Sequence, residues 1–272
     1  MEARDWTPDP EGWRRSYEEH GYLVVENAVD PDLLQRMRAA LERIERAVAE
    51  DTLPPHLRRW VVLERERTSN LRTGRIESNA ISVIMELPLF DPVFRDLIIY
   101  PRVLDSLQAL FEGTEFSLHN YKCVCKMPGG KAAFQWHRDL PYLEHTSPNL
   151  ITCMLCLDPM TSENGGTVVC PGSHRVAHEA ARRQDTDMPE SEVPEDRVTV
   201  ECPAGSAVLF HVNLIHGGGP NLARTPRRNV IGIWAGPDTH PTTASRYAYE
   251  FVMPRSTDPA RQRQIRMTFG PE

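Results

Sequence analysis

His137-Arg138-Asp139 sets an imidazole and a carboxylate two residues apart. On an extended segment such residues face the same side, so both can reach one ion. The pair gains weight from His216, which closes the largely apolar run 208–215 and precedes Gly217-Gly218-Gly219-Pro220-Asn221. Two imidazoles and one carboxylate form the facial set that suits non-haem Fe(II) and leaves coordination positions open. A bidentate 2-oxo acid can fill two of those positions and O₂ the third. Arg227, eleven residues beyond His216, suits such an acid, because a guanidinium grips a second carboxylate as a fork.

A second motif of the metal-binding type, Cys153-x-x-Cys156, lies in the apolar stretch 149–157. On a strand, residues three apart face opposite sides, so these thiols cannot share an ion. They are expected as buried reduced thiols.

Composition frames these groups. The 272-residue chain is 40% hydrophobic and 25% charged, the balance of a folded globule and not of a disordered chain. With 31 basic and 38 acidic residues the net charge is −7, which argues against general binding to nucleic acid or to an anionic membrane. The first residues are charged and Pro-rich, without the apolar stretch of a signal peptide. No apolar run approaches the roughly 18 residues of a membrane span. Six cysteines are too sparse for a secreted disulfide scaffold, so the expected compartment is the cytoplasm. The sequence sets no oligomeric state.

The elements that must position the chemistry divide at about Gly113. Before it, Asp30-Pro31 supplies an N-cap and a Pro at the first helical position. Leu33, Met37, Leu41, Ile44 and Val48 then recur at helical spacing to about Glu50. Gly21 to Val25 reads as a strand, 58–79 as a charged surface segment or flap, and Asp91-Pro92 and Pro101 open two further helices, the second stopped by Gly113. After it, β-rich runs at 116–125, 133–136, 149–157, 167–170, 207–211 and 229–234 alternate with Pro/Gly turns, which predicts a sandwich, jelly roll or barrel. The polar, acidic segment 183–195 reads as a solvated loop, with an active-site lid as the alternative. No linker separates two units, so 1–272 is expected as one domain: a helix-rich segment 1–113 packed on a β core 114–236, with a tail 237–272.

Three blocks then coincide in order. Phe134-Gln135-Trp136-His137-Arg138-Asp139-Leu140-Pro141-Tyr142 comes first. Glu163-Asn164-Gly165-Gly166-Thr167 with Pro171-Gly172-Ser173-His174 follows, and His216-Gly217-Gly218-Gly219-Pro220-Asn221 closes the series. Together with Glu19-His20-Gly21-Tyr22-Leu23-Val24-Val25 near the start, they resemble the phytanoyl-CoA dioxygenase family of Fe(II)/2-oxoglutarate oxygenases. The resemblance implies a mainly β fold with peripheral α-helices around a double-stranded β-helix (jelly roll, cupin-like) core. It implies Fe(II), 2-oxoglutarate and O₂ as cofactor and cosubstrates, with His137, Asp139 and His216 as metal ligands and no catalytic residue beyond them. Arg227 has the spacing of the family's cosubstrate arginine, while Arg228 lies on the opposite strand face. Thr152 falls where the family often carries a hydroxyl near the same carboxylate. Lys122 is expected at the same mouth, touching cosubstrate or substrate, or else as a surface Lys with its stem packed on the sheet. One departure stands out: many members have Ser two positions after the distal His, and here that residue is Gly218.

The implied activity is hydroxylation, or another oxidation, of a C–H bond of a small organic molecule, with 2-oxoglutarate decarboxylated to succinate and CO₂. Natural-product biosynthesis is the expected setting. Asp139 favours this outcome over halogenation, for which relatives of this mechanistic class carry a small residue in its place. Two other readings of the same residues stay open: a cupin-like metal-dependent isomerase or hydrolase that does not use 2-oxoglutarate, and a non-catalytic small-molecule-binding member. Asn79, Trp136, Tyr142 and Trp234 are candidate substrate contacts, and Arg72 and Arg75 could meet an anionic substrate. His119 and His145 are further pocket candidates, and His174 is expected to be structural.

Overall fold

The computed structural model describes residues 6–67, 78–131, 133–183, 188–244 and 247–269; Arg72 and Arg75 lie outside them. Along the chain run α1 (Pro10–His20), β1 (Tyr22–Val25), α2 (Pro31–Ala49), α3 (Pro55–Arg58), β2 (Val61–Leu63), β3 (Ile81–Met85), α4 (Val93–Ile98) and α5 (Pro101–Phe111). Then come β4 (Ser117–Lys126), β5 (Phe134–His137), α6 (Leu140–Leu143), β6 (Leu150–Cys156), β7 (Val168–Val169), α7 (His178–Arg183), β8 (Val198–Thr199) and β9 (Ala207–His211). The series ends with β10 (His216–Gly218), β11 (Arg227–Ala235) and α8 (Pro259–Phe269).

The strands form two antiparallel sheets, the larger in the order β1-β9-β6-β11-β4-β3-β2 and the smaller in the order β5-β10-β7-β8. Apolar side chains from both, among them Met154, Cys156, Val169, Val200, Val208 and Phe210, fill the space between them. This is the double-stranded β-helix core, mainly β with helices outside. Three strands of the larger sheet come from the helix-rich first stretch of the chain, so the two stretches of the sequence share one sheet.

Helix α2 starts where the sequence says it must. Asp30 accepts from the Leu33 N–H at 2.8 Å, and Pro31 takes the first helical position, where a missing N–H costs nothing. Its apolar stripe, including Met37 and Leu41, packs with Phe94, Leu97 and Leu107 of α4 and α5 on the outer face of the larger sheet. Burying each such side chain contributes roughly 2 kcal/mol. Helix α5 ends one residue earlier than expected: Glu112, not Gly113, takes the left-handed conformation, at φ 52°.

Strand β11 alternates as period two demands. Arg227, Asn229, Ile231 and Ile233 face the interior of the β-helix. Val230 and, beyond a register shift at Ile233/Trp234, Trp234 face the helices. Arg228 shares that outward side, where Asp158 holds it in a bidentate pair at 2.8 and 3.0 Å. Cys153 joins the helix-side cluster and Cys156 the inner one, the opposite-facing arrangement expected for residues three apart.

Several short elements differ from the sequence reading. Val61–Leu63, read as belonging to a flap, pairs as an edge strand with Ile81–Met85. Strands β8 and β10 were not expected, and the tail carries α8. Two- and three-residue strands have too few positions for alternation to register.

Candidate metal and cosubstrate site

His137 ends β5 and lies directly opposite His216 of β10 in antiparallel register. The facing positions bring the ring centroids to 4.2 Å. Nδ1 of His137 lies 2.7 Å from the Gln135 carbonyl and Nδ1 of His216 3.0 Å from the Leu214 carbonyl. A carbonyl only accepts, so both Nδ1 atoms carry the proton and both Nε2 lone pairs are bare. Asp139 reaches them by another route than extended alternation: the strand stops at His137, and Asp139 starts α6 in helical conformation at φ −72°, ψ −33°. Its N–H donates to the Val212 carbonyl at 2.8 Å, which ties the turn to the loop before β10.

Asp139 Oδ1 then stands 3.8 Å from each Nε2. One donor atom from each of the three residues lies within 4.8 Å of the others. The 3.8 Å spans are shorter than two metal–ligand bonds of about 2.1 Å, so one ion can bind all three. Burial pushes the His137 imidazole down to about 3, the His216 ring adding to the effect and Asp139 opposing it. Burial raises the Asp139 carboxyl, but His216, His137, Lys122 and the Thr152 hydroxyl outweigh it and bring it below its ordinary value. A bare imidazole and a carboxylate, with proton-free Nε2 atoms, are the forms that bind a divalent ion. The donor set fits iron(II).

The group lies in a cavity of about 200 Å³ between the sheets. At its inner end Arg227 is 3% exposed, with Nε lacking any hydrogen-bond partner. With the Asn229 amide oxygen turned toward it, Nη1 donates to that oxygen at 2.7 Å, and the Asn229 amide N–H₂ donates to the Arg228 carbonyl at 3.0 Å. No carboxylate lies within 4 Å of Arg227 among the described residues. Burial lowers its pKa. A buried guanidinium with an orphaned N–H is a receptor for a carboxylate. The residues present therefore fit a 2-oxo dicarboxylic acid, with Arg227 at one end of the cavity and the three ligands at the other.

Other expected residues fall in different places. Lys122 lines the cavity on β4; burial lowers its pKa, and Asp139 opposes that. Thr152 lines the cavity too, but its hydroxyl donates to Asp139 Oδ2 at 2.6 Å. In this arrangement its one proton is directed to the Asp139 carboxylate. Tyr142 stands at the rim, 37% exposed, with its ring edge-on to His137 at 5.8 Å.

Trp136 and Trp234 do not wall the cavity. Trp136 packs with Met188 and Val193, and its Nε1 donates to Glu190 at 2.8 Å. It anchors the described end of the acidic loop. Trp234 faces the helix-side core against Phe116 at 5.7 Å, because it shares the parity of Arg228 and Val230 on β11. Asn79 is exposed and outside the cavity lining. His119 and His145 line a second cavity of about 410 Å³, where His119 Nδ1 meets Glu250 at 2.7 Å. His174 stands against Gly21: at φ 81° that glycine is left-handed, and a Cβ on it would fall 2.4 Å from His174 Nδ1. The absence of a side chain is required there.

Among the cavity residues that sequence reasoning missed, two polar ones bear on Arg227. Asn229 orients Arg227, and Lys126 lies buried beside it. The signal for Lys126 was present: it is four residues from Lys122 on the same strand, hence on the same face. Its amine lies 3.1 Å from where a Cβ on Gly218 would be, at the position where the family often has Ser.

Comparison with known proteins agrees with this geometry. The sequence profile of the family described as Phytanoyl-CoA dioxygenase (PhyH) matches residues 17–229. A probable alpha-ketoglutarate-dependent hypophosphite dioxygenase of Stutzerimonas stutzeri is 26% identical over 238 residues, covering 84% of this chain and 79% of that protein. An ectoine dioxygenase of Bordetella bronchiseptica is 27% identical over 244 residues, covering 81% and 73%. A non-heme alpha-ketoglutarate-dependent carbocyclase from nogalamycin biosynthesis has the same fold, with a TM-score of 0.67 over 93% of this chain and 90% of that one at 19% identity. The matched span takes in every residue of the site from Lys122 to Arg228, and on that ground the chain belongs to the phytanoyl-CoA dioxygenase family and is an iron- and 2-oxoglutarate-dependent dioxygenase.

Proposed function

We propose that His137, Asp139 and His216 hold Fe(II), that Arg227 takes the distal carboxylate of 2-oxoglutarate, and that the chain hydroxylates a C–H bond of a small organic molecule in the making of a natural product. The observation that carries this reading is the buried Arg227 guanidinium, free of any carboxylate among the described residues, in the same cavity as the His–Asp–His group. A metal-dependent isomerase or hydrolase has no use for such a cation. When bound, the iron with 2-oxoglutarate and O₂ supplies oxidative decarboxylation to succinate and CO₂, coupled to oxidation of the C–H bond.

The chain's own residues do the rest. Backbone carbonyls hold both imidazoles with Nε2 toward the cavity, and Thr152 holds Asp139 by its second oxygen. Leu143, Ile231 and Ile233 line the side away from Arg227 and keep water from the reacting centre. Tyr142 at the rim and Lys122 within offer polar contacts to a mostly apolar substrate. The names of the relatives, which include an ectoine dioxygenase and an enzyme of nogalamycin biosynthesis, support a small organic substrate.

We also read 1–272 as one catalytic unit, supported by strands from both halves of the chain pairing in one sheet. A cytoplasmic setting is supported by six free, buried cysteines, including Cys156 and Cys202 unbridged at 3.6 Å. Among the described residues no helix is long and apolar enough to cross a membrane.

The test is product formation. Purified protein given Fe(II), ascorbate, 2-oxoglutarate and a panel of biosynthetic intermediates should form succinate and hydroxylated product in equal amounts. His137→Ala and Asp139→Ala should each lower both by about a hundredfold or more. Undiminished succinate in both variants would overturn the ligand assignment.

A further inference from the structure

Lys126 is 2% exposed and lies opposite Arg227 in the β4–β11 register. Both side chains enter the same cavity. No carboxylate among the described residues lies within 4 Å of either. The Lys126 amine donates to the Gly165 carbonyl at 2.7 Å and to the Gly219 carbonyl at 2.5 Å. An ammonium has three donors, so one remains on the cavity side, where Nζ also stands 5.3 Å over the ring of Phe134, itself part of the cavity wall. The amine can stand there because residue 218 has no side chain: a Cβ would lie 3.1 Å from Nζ and 3.0 Å from the Gly166 carbonyl.

Two cations side by side in a buried cavity repel each other and lack solvation, an arrangement held stable by an anion between them. Burial, with Arg227 and Arg67 adding, pushes the Lys126 amine well below the ordinary lysine range, which is the cost such an anion removes. Two carbonyls fix the amine in place, so little side-chain freedom is lost on binding.

We propose that Lys126 is a second anchor for the distal carboxylate of the 2-oxo acid, seated in the space left by Gly218 and acting together with Arg227. The proposal rests on the reading of the site as a 2-oxoglutarate site, and the test separates the two. Two ligands are compared by calorimetry on Mn(II)-loaded protein: 2-oxoglutarate, and 2-oxopentanoate, which has the same chain length and chelating end but no distal carboxylate. Wild type should bind 2-oxoglutarate far more tightly. Lys126→Met, close in shape and uncharged, should weaken 2-oxoglutarate about tenfold or more and leave 2-oxopentanoate unchanged. Equal weakening of both ligands would make Lys126 a mere brace for the Gly165 and Gly219 loops and overturn the proposal. So would unchanged binding of both.

If wild type does not prefer 2-oxoglutarate, and Arg227→Ala changes nothing, the parent reading falls. If Arg227→Ala abolishes the preference while Lys126→Met keeps it, only the second anchor falls. Should Lys126→Met not fold, Gly218→Ala decides. Its methyl group crowds the amine and should lower the preference for 2-oxoglutarate several-fold, and a retained preference would contradict the proposal.

Discussion

Nδ1 of each metal-site imidazole sits on a backbone carbonyl, at 2.7 Å for His137 and 3.0 Å for His216, so the ligand direction is fixed by main chain. Asp139 depends on a side chain, the Thr152 hydroxyl at 2.6 Å. Thr152→Val keeps the shape and removes that donor. It should weaken divalent-metal affinity about tenfold, the usual scale for such supporting contacts, as read by Mn(II) titration. Arg227→Gln should weaken 2-oxoglutarate binding by about ten- to a hundredfold, the value of a buried hydrogen bond to a charged group, and leave Mn(II) affinity unchanged. That His137, Asp139 and His216 converge, with Arg227 in the same cavity, was legible because their types and order are specific. The Thr152 hydroxyl was legible as facing the cavity, and spacing alone does not show that Asp139 is its partner there. Trp136 and Trp234 lie outside the cavity lining: Trp136 packs under the acidic loop, and Trp234 shares the outward parity of Arg228 and Val230, which alternation along β11 already implies.

Strand β11 carries opposite tasks on its two faces. Arg227 opens inward with no carboxylate partner among the described residues, while Arg228 is closed outward by Asp158, with Glu45 at 3.6 Å. Asp158 also accepts the Arg228 N–H at 2.9 Å, which ties the loop after β6 to the start of β11. Breaking a buried pair of this kind costs about 3–5 kcal/mol. Asp158→Asn should therefore lower stability by an amount in that range, measured by denaturant unfolding. Gly21→Ala should cost about 1–3 kcal/mol, because φ 81° and the nearby His174 ring both exclude a methyl group. The long elements were readable from caps and periodicity, α2 almost to the residue. Strands β2, β8 and β10 are two or three residues long and owe their existence to partners distant in sequence, so no local pattern announces them.

The fold buries several imidazoles in neutral form, which sets how the whole molecule responds to acid. Burial pushes His211 down to about 4, with His174 and Arg138 adding, and its Nδ1 accepts the Asn213 N–H at 2.9 Å. Between the ordinary histidine value of 6.5 and about 4, the unfolded chain binds a proton that the folded chain refuses. Stability is therefore full above that window and falls as pH drops through it. The Tm measured from pH 6.5 to 4.5 should decline, and His211→Gln should flatten the decline. A divalent ion held by His137, Asp139 and His216 would tie β5 and β10 of the smaller sheet to the turn at Asp139. A divalent ion at about a hundred times its Kd adds about 2.7 kcal/mol, a rise of several degrees in Tm that His137→Ala should abolish. The most direct test of the iron and 2-oxoglutarate site is anaerobic addition of 2-oxoglutarate to the Fe(II)-loaded protein, followed by visible absorption. The expected result is a weak band that saturates at one equivalent per chain and is missing in His137→Ala. No band in the wild-type protein, or the same band in the variant, would contradict it.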